Sequence, residues 1–418
     1  MHPGSPELWI RSHDEAIQLI CEHTVAVADD MTVGAELEWL VVRRGCGADR
    51  VAVADLSRSL GQYAPQHDGR SAPLPSGSVL TIEPGGQVEL SSAPFSSARA
   101  LTEALSADTA VVRSCLARES IDLISAAADT TRPPVRVLDA PRYRAMENVF
   151  DRNGPAGRVM MNNTAAVQVC VSAGSSPSEA LRRWLMLNEA GPALLAAFAA
   201  SPAIAGGPPG RWESQRMRAW FTLDPQRTLP PRSQNPLRDY AEWALTVPLL
   251  CIRRPGSCWD APAGLTLAEW IAAGAGQMTA PHVLPQRYPA RDDVLYHLST
   301  LFPPVRPRGY FEVRYLDQQP ADHWRAAVAV VTTLAHDSRT VDTSRDLAAE
   351  TADLWLEAAR LGMQHPKLAA AATALLEFAA ASAPEPILRT AIESYLCTIR
   401  SRSDTQVAAA RPRQRGGL

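Results

Sequence analysis

Five glutamates lie in short stretches of strand-like composition, on positions that alternate with apolar residues or beside a Gly-rich turn. GAELEW carries Glu36 and Glu38, VLTIEPGGQVELSS carries Glu83 and Glu89, and RGYFEVRYLDQQP carries Glu312. Because alternate side chains of a strand point to opposite faces of its sheet, apolar residues share one face and carboxylates the other. Hard divalent cations such as Mg²⁺ prefer carboxylate oxygens and bridge them to phosphates. We therefore predict a Mg²⁺–carboxylate site on the polar face, although each strand alone also fits a sheet that exposes its acids to water.

The polar positions of these and a neighbouring stretch carry other groups as well. In GRVMMNNTAAVQVCVSAG, read as a strand, Thr164 and Gln168 alternate with apolar residues. Arg314 follows Glu312 by two positions, so the two side chains share a strand face. An arginine at that place either pairs with the acid or reaches a phosphate. Asp317 is interpreted as the cap of the turn that follows.

Strands set between helices are the elements expected to position these groups. Pro- and Gly-rich loops, long enough to be active-site loops, are predicted over 203–211, 224–236 and 253–264. No repeat or long linker divides the chain, so we predict one α+β domain over residues 1–401 and a disordered tail over 402–418. Helical spacing of apolar residues predicts helices over 13–28, 96–119, 177–200, 265–275, 321–337, 343–362, 366–382 and 385–400.

The composition is that of a globular protein with a large core. Of 418 residues, 46% are hydrophobic and 20% are charged, and the net charge is -3. Apolar runs stay short of the roughly 18 to 20 residues that a membrane helix needs, and the N-terminus has acids where a signal peptide is basic. We therefore expect a cytoplasmic protein without a membrane partner. The basic residues form no cluster before the terminal ARPRQRGG, so we expect no nucleic-acid partner either.

The lysine and cysteine content excludes several classes of site. Lys367 is the only lysine among 41 basic residues, and no Gly-Lys pair exists, so a P-loop is excluded and Schiff-base chemistry is disfavoured. Seven cysteines without a C-x-x-C pair argue against a disulfide framework or a zinc site. The chain also lacks H-E-x-x-H and G-x-S-x-G, two hydrolase signatures.

Five stretches, taken together and in this order, resemble the glutamate–cysteine ligase family. They read GAELEW, IEPGGQVELSSAP, MMNNTAAVQV, SQRMRAW and PRGYFEVRYLDQQP. The likeness covers residues 12–400 and is greatest to the actinobacterial branch, which makes γ-glutamylcysteine for ergothioneine synthesis. It implies a glutamine-synthetase-like catalytic fold, in which a curved antiparallel sheet forms a funnel-shaped active site surrounded by helices. It also implies the use of ATP and Mg²⁺.

The resemblance also implies roles for single residues. Within the implied mechanism, Arg314 and Glu312 are predicted to be catalytic, and Arg314, from its place beside Glu312, is expected to stabilise the transferred phosphoryl group. Without the resemblance, Arg216 also fits a surface arginine and Trp220 a core residue. Leu229 stands where the D-x-x-R-T segment of relatives usually has glycine. The metal ligands it implies are Glu36, Glu38, Glu83, Glu89 and Glu312. The substrate-binding residues it implies are Arg216, Arg227, Trp220, Met161, Asn163, Thr164 and Gln168, the last of which falls where some relatives have a metal-binding histidine.

The implied reaction joins the γ-carboxylate of glutamate to the amine of cysteine. Glutamate takes the γ-phosphoryl group of ATP, and the amine then displaces phosphate from the acyl phosphate. Two alternatives stay open: a ligase of the same fold that uses another amine, and a non-catalytic protein that binds a metal or nucleotide. The expected partners are the small molecules glutamate, cysteine and ATP, and the chain is expected to act as a monomer or weak homo-oligomer.

Overall fold

The computed structural model of the chain describes residues 9–45, 49–66, 71–229, 236–256, 258–274 and 287–410. Within these residues seven strands form one sheet, and each pair of neighbouring strands runs antiparallel. The order across the sheet is β2-β3-β1-β5-β7-β6, and β4 pairs with the end of β1. The strands are β1 (Val33–Arg43), β2 (Val79–Ile82), β3 (Val88–Ser91), β4 (Ile121–Ile124), β5 (Ala166–Ser172), β6 (Val305–Pro307) and β7 (Tyr310–Asp317). The predicted α+β class with an antiparallel sheet is confirmed.

One face of the sheet belongs to the hydrophobic core. Leu37 and Trp39 on β1, Val88 on β3, Val169 on β5 and Val313 on β7 are all at most 1% exposed. These are the positions that strand alternation assigned to the core. The glutamates of β1 and β3 therefore lie on the opposite face, as predicted.

Helices surround the sheet. They are α1 (His13–Thr24), α2 (Val53–Leu60), α3 (Ala98–Ala117), α4 (Pro141–Phe150), α5 (Ala156–Asn163), α6 (Pro177–Glu189), α7 (Gly191–Phe198), α8 (Gln215–Leu223), α9 (Pro225–Thr228), α10 (Pro236–Thr246), α11 (Leu267–Gly274), α12 (Arg291–Leu298), α13 (Trp324–Leu334), α14 (Ser338–Ala348), α15 (Trp355–Leu361), α16 (Pro366–Ser382) and α17 (Pro386–Ala410). All residues of α7 are buried, and this helix packs on β7 and α16, while α13 packs on β5. Within the described ranges, each helix is either too short or too polar to span a lipid bilayer.

Several sequence predictions about elements need correction. The segment 157–163, read as the start of a strand, is helical and forms most of α5. Seven of the eight residues of α5 are buried, so the helix shows no polar stripe from which a 3.6-residue period could be recognised. The predicted helix over 177–200 is two helices, α6 and α7. The disordered tail over residues 402–418 stays a prediction. Helix α17 continues to Ala410, and residues 411–418 lie outside the described residues.

The hairpin formed by β6 and β7 is anchored at its tip. Gly309 sits at the turn with a positive φ of 81°, a conformation that glycine adopts without strain. Its N–H donates to the Thr24 carbonyl at 3.0 Å, and its carbonyl accepts from Ala26 N–H at 3.0 Å. These bonds attach the hairpin to the end of α1, so the polar side chains of β6 and β7 rest on a fixed support.

Candidate active site

A cavity of about 450 Å³ opens over the polar face of the sheet. That volume is in the range of pockets that hold small molecules. The residues that line it include nine of the predicted site residues and Met160, the neighbour of Met161. The nine are Glu36, Glu38, Glu83, Glu89, Met161, Thr164, Gln168, Arg216 and Trp220. Arg314 lines it as well, together with residues that sequence reasoning did not single out, namely Pro84, Gln87, Ser91, Arg142, Tyr143, Met146, Ser299, Phe302, Arg306, Arg308 and Tyr310.

The carboxylates lie together on one side of this cavity. Pairing of β1 with β3 sets Glu38 directly opposite Glu89, and pairing of β1 with β5 sets Glu36 opposite Gln168. Glu83 stands at the end of β2, just before the turn that leads into β3. Sheet register therefore brings together four acids that are up to 53 positions apart in the sequence.

The environment of these acids favours their protonated forms in the absence of a cation. Burial raises the pKa of Glu36 to about 8, with a further upward push from the charges of Glu312 and Glu89. Burial and the charge of Glu38 raise the pKa of Glu83 to about 7. The pKa values of Glu38 and Glu89 are raised by burial too, that of Glu89 well above its usual range. Four neighbouring carboxylates with raised pKa values form a site that a positive charge would stabilise.

Two amide side chains add neutral oxygens to the acid side. Gln168 Nε2 donates to Glu36 Oε2 at 3.0 Å and to Glu38 Oε1 at 3.1 Å, while its Oε1 is buried and has no hydrogen-bond partner among the described residues. Gln87 Nε2 donates to the carbonyls of Thr164 at 2.8 Å and Met161 at 3.3 Å, and its Oε1 is likewise buried and unpartnered. Carboxylate and amide oxygens are the ligands that Mg²⁺ takes.

The donor set thus fits a hard divalent cation. In the described part of the chain, no three acidic, histidine or cysteine side chains already surround one point as metal ligands would. The chemistry of the side chains nevertheless matches that cation, because the acids are buried beside one another and Gln168 leaves an amide oxygen unsatisfied beside two of them.

The turn between β2 and β3 holds the acid side in place. Glu83 N–H donates to the Gln87 carbonyl at 2.8 Å and closes the turn. Gly85 lies so close to α5 that a Cβ on it would stand 2.2 Å from the Asn162 carbonyl oxygen. Arg50 Nη1 donates to the carbonyls of Gly85 at 2.8 Å and of Asn162 at 3.0 Å. The turn is therefore fastened to the end of α5, and Glu83 with it.

Arginines occupy the other side, grouped around Glu312. This carboxylate is fully buried; Arg306 donates to it with three contacts of 2.9 to 3.1 Å, and Arg314 Nη1 contacts its Oε1. Arg308 Nη1 is 3.7 Å from Oε2. Although burial alone would raise its pKa, the charges of Arg306, Arg314 and Arg308 hold the pKa of Glu312 at about 2. Glu312 is not among the lining residues, and in this structure it supports the arginines that are.

Trp220 lies beside two of the arginines. The Cζ atoms of Arg216 and Arg314 are 5.8 and 5.3 Å from its ring centre, distances typical of cation–π contacts. Phe302 packs edge-on against the same ring, with the centroids 5.3 Å apart. The indole Nε1 and Arg314 Nε are both buried donors without a partner among the described residues. This side of the cavity is therefore suited to an anionic group with several acceptor oxygens.

Two predicted substrate residues do not line the cavity. Arg227 is 0% exposed; it pairs with Asp224 at 3.0 Å and donates to the carbonyl of Thr300 at 3.1 Å. Asn163 Nδ2 donates to the carbonyls of Arg132 at 2.8 Å and Ala205 at 3.0 Å. Their side chains connect loops behind the site. The structure thus brings Met161, Thr164, Gln168, Trp220 and Arg216 together and leaves these two outside.

Asp317 has a different environment from that of a turn cap. It is 0% exposed and lies 3.6 Å from Arg216. The interpretation as a cap is therefore wrong.

Among the residues that sequence reasoning missed, Arg306 and Arg308 had a usable signal. Arg308 and Gly309 alone separate β6 from β7, and the tight hairpin that turns around Gly309 sets Arg306 opposite Glu312. No signal in the sequence marked Arg142 and Tyr143 on α4, because only tertiary packing brings α4 to the sheet. Burial and the nearby charge of Glu83 raise the pKa of Tyr143, the charge being the larger cause, so its hydroxyl is neutral.

Residues 32–405 of the chain match glutamate-cysteine ligase family 2. Glutamate–cysteine ligase EgtA of Mycobacterium tuberculosis (strain H37Rv) is 38% identical over 326 residues, which are 76% of this chain and 73% of that protein. Glutamate–cysteine ligase EgtA of Mycolicibacterium smegmatis is 38% identical over 317 residues, which are 75% of this chain and 73% of that protein.

A solved structure shares the fold. It is the crystal structure of a glutamate–cysteine ligase from Francisella tularensis in complex with AMP. The TM-score is 0.53 at 14% sequence identity, and the match covers 91% of this chain and 84% of the other. At this identity the likeness shows a common architecture of sheet and helices.

Proposed function

This chain belongs to glutamate-cysteine ligase family 2, and on that premise we propose that it joins the γ-carboxylate of L-glutamate to the amine of L-cysteine with the use of ATP. The products are γ-glutamylcysteine, ADP and phosphate. Relatives named EgtA that are 38% identical over three quarters of the chain support cysteine as the acceptor. The same likeness supports ergothioneine synthesis as the pathway that uses the product.

The observation that carries this proposal is that buried carboxylates and arginines line one cavity. Four glutamates from β1, β3 and the end of β2 line it, and Arg306, Arg308 and Arg314 reach it from the other end of the sheet, at β6 and β7. Arg142 on α4, near Glu83, and Arg216 on α8 also line it. A carboxylate resists attack by an amine until one of its oxygens becomes a good leaving group. Phosphoryl transfer supplies that leaving group, and it depends mainly on positioning and on neutralising charge. A site with acids for a cation and arginines for an anion meets both needs without a lysine.

The acid side would hold the cation that such a transfer requires. Glu36, Glu38, Glu83 and Glu89 are the proposed ligands, with Gln168 as a neutral oxygen donor or substrate contact. Glu312, expected from the sequence to be a fifth ligand, is engaged by three arginines and does not line the cavity, so we propose that it positions them. A bound Mg²⁺ would neutralise phosphate charge and orient the nucleotide.

The arginines would act on the substrates directly. Arg314 lines the cavity and leaves Nε without a partner among the described residues, which supports a role in stabilising the transferred phosphoryl group. Arg216 would bind the α-carboxylate of glutamate beside Trp220. In the second step the amine nitrogen forms a bond to the carbonyl carbon of the γ-carboxyl group, the bond from that carbon to the phosphate oxygen breaks, phosphate leaves and the nitrogen releases a proton. Met160, Met161 and Thr164 line the part of the cavity proposed for the acceptor.

We also propose where the protein acts and how it assembles. ATP as a substrate supports a cytoplasmic protein, and a site formed within one chain supports action as a monomer or weak homo-oligomer.

The test is ligation by the purified protein with ATP, Mg²⁺, glutamate and a panel of amines. ADP release and product mass are followed together for the wild type, Glu36→Ala and Glu312→Ala. Glu103→Ala on α3, an exposed glutamate outside the cavity, is the matched control. We expect a γ-glutamyl amide only with cysteine, full activity in the control and loss in both site variants. Ligation of another amine would contradict the acceptor, and absence of nucleotide turnover with every amine would contradict the enzyme itself.

A further inference from the structure

Asp317 is a buried carboxylate whose partners come from two separate segments, 200–201 and 214–216. Its Oδ2 accepts from Ala200 N–H at 2.8 Å and from Ser201 Oγ at 2.7 Å. Its Oδ1 accepts from Ser214 Oγ at 2.9 Å and lies 3.6 Å from Arg216 Nη1. The side chain is 0% exposed, so it meets substrate only through these partners.

The same two serines also hold the start of α8. Ser214 is the N-cap of this helix and its Oγ accepts from Met217 N–H at 3.1 Å. Ser201 Oγ accepts from Arg216 N–H at 3.1 Å. Each hydroxyl therefore donates to Asp317 and accepts from the backbone of the first turn of α8. The carboxylate thus orients both hydroxyls, because a hydroxyl has a single proton to give.

Arg216 is consequently fixed to β7 at two places. Its Nη1 lies beside the Asp317 carboxylate, and its Nη2 donates to the carbonyl of Arg314 at 2.7 Å. Both attachment points belong to the strand that carries Glu312 and Arg314. The Arg216 guanidinium, which lines the cavity, is therefore held at a fixed position relative to Arg314, the arginine proposed to contact the transferred phosphoryl group.

We propose that Asp317 is a positioning residue that, with Ser201 and Ser214, holds Arg216 in place for the α-carboxylate of the amino-acid donor. This rests on the proposed function, in which Arg216 binds that carboxylate. In Asp317→Asn the guanidinium loses its ionic partner, and only one of the two oxygens that accept from the serine hydroxyls remains an acceptor. Binding of the donor amino acid then weakens, while binding of ATP is unaffected.

The test compares Asp317→Asn with the wild type in steady-state ligation. We expect the KM for glutamate to rise at least about tenfold, the size expected when a buried ion pair loses one partner, and the KM for ATP to change less than about twofold. The preference for glutamate over 4-aminobutyrate, which lacks the α-carboxylate, should fall by a similar factor. Asp108→Asn is the matched control, because Asp108 is also 0% exposed and accepts from the N–H groups of Ser76 and Ser78, but lies outside the cavity.

Three further measurements separate positioning from loss of folding. Ser201→Ala removes one donor to Asp317 and is expected to raise the KM for glutamate in the same direction but less. Calorimetric titration of glutamate into protein loaded with a non-hydrolysable ATP analogue should show weaker glutamate binding and unchanged analogue binding in Asp317→Asn. Arg216→Lys and Asp317→Asn should be non-additive when combined, since one acts through the other.

Unchanged glutamate affinity and unchanged preference over 4-aminobutyrate in a folded Asp317→Asn protein would overturn the inference, as would equal rises in both KM values. A wild type that turns over no ATP with glutamate would instead overturn the proposed function, and the inference with it. The two failures are distinguished by whether the wild type itself is active.

Discussion

Replacing Gly85 by alanine should disable the site through a single methyl group. The new Cβ would lie 2.2 Å from the Asn162 carbonyl oxygen, 2.6 Å from Asn162 Cα and 2.7 Å from its carbonyl carbon. These are backbone atoms at the end of α5 and cannot rotate away. Because Gly85 does not have a positive φ, the backbone itself accepts alanine, and the whole cost comes from the collision.

The size of the effect follows from how far the turn must move. Cβ atoms essentially never approach a neighbour closer than 3.0 Å, so the gap to Asn162 must open by about 0.8 Å. That movement also lengthens the hydrogen bonds with which Arg50 joins Gly85 to Asn162. We expect the free energy of unfolding to fall by about 2–3 kcal/mol. We expect kcat to fall about a hundredfold, since a shift near 1 Å displaces Glu83 from its neighbours.

The assay pairs urea unfolding, followed by tryptophan fluorescence, with ADP release at saturating substrates. Gly61→Ala is the matched control, because Gly61 has a φ of 58° and a methyl group on its Cα would meet no heavy atom within 4 Å. The free energy of unfolding of Gly61→Ala should fall by about 1–2 kcal/mol, because alanine is strained in the left-handed conformation, and its kcat should not change. A Gly85→Ala protein with kcat within about twofold of the wild type would refute the claim that the turn is held rigidly on α5.

Three further predictions follow from individual side chains. Arg227→Lys should lower the free energy of unfolding by about 3 kcal/mol and leave the KM for glutamate unchanged, because Arg227 is fully buried away from the cavity; a raised KM with intact stability would contradict this. Burial lowers the pKa of His297 from 6.5 to about 3, so the unfolded chain binds a proton that the folded chain does not, and below pH 6.5 stability falls with pH by up to about 1.4 kcal/mol per unit. Urea unfolding between pH 7 and about 4 should show a shallower slope for His297→Gln, and an identical slope would count against a neutral buried imidazole. Arg314→Lys keeps the charge but loses the planar contacts to Glu312 and Trp220, so single-turnover ADP formation should slow about a hundredfold, and a rate near that of wild type would exclude a specific role for the guanidinium.

The carboxylate face could be predicted from sequence because it depends on the strictest periodicity in proteins. In β1 the alternation of Leu37 and Trp39 with Glu36 and Glu38 fixes which side chains share a face, whatever the strand pairs with. The placement of Gln168 on the polar face of its strand follows from the same alternation. These predictions depend only on the order of residues within one strand, so they hold whichever strand pairs with it.

Contacts between distant segments were beyond such reasoning. No residue near Asp317 in the sequence indicates that it accepts hydrogen bonds from Ser201 and Ser214, which lie more than a hundred positions earlier. Arg227 matched a substrate-binding position by motif, yet the fold turns it toward the carbonyl of Thr300. The helix α5 escapes recognition because burial on nearly all sides removes the polar stripe that marks a helix. The site roles themselves remain predictions, which the experiments above address.

The division of the cavity between acids and arginines has a consequence for how the protein is made. The acids belong to residues 36–89, whereas β6 and β7, which bring Arg306 and Arg314, begin only at residue 305. During synthesis from the N-terminus, β1 and β3 therefore exist long before the strands that complete their sheet beyond β5. Closing such long loops is slow, so the sheet is completed late in folding. A chain that ends before residue 305 would retain the clustered carboxylates with Arg142 and Arg216 but would lack Arg306, Arg308 and Arg314, so only a longer chain can assemble the whole site.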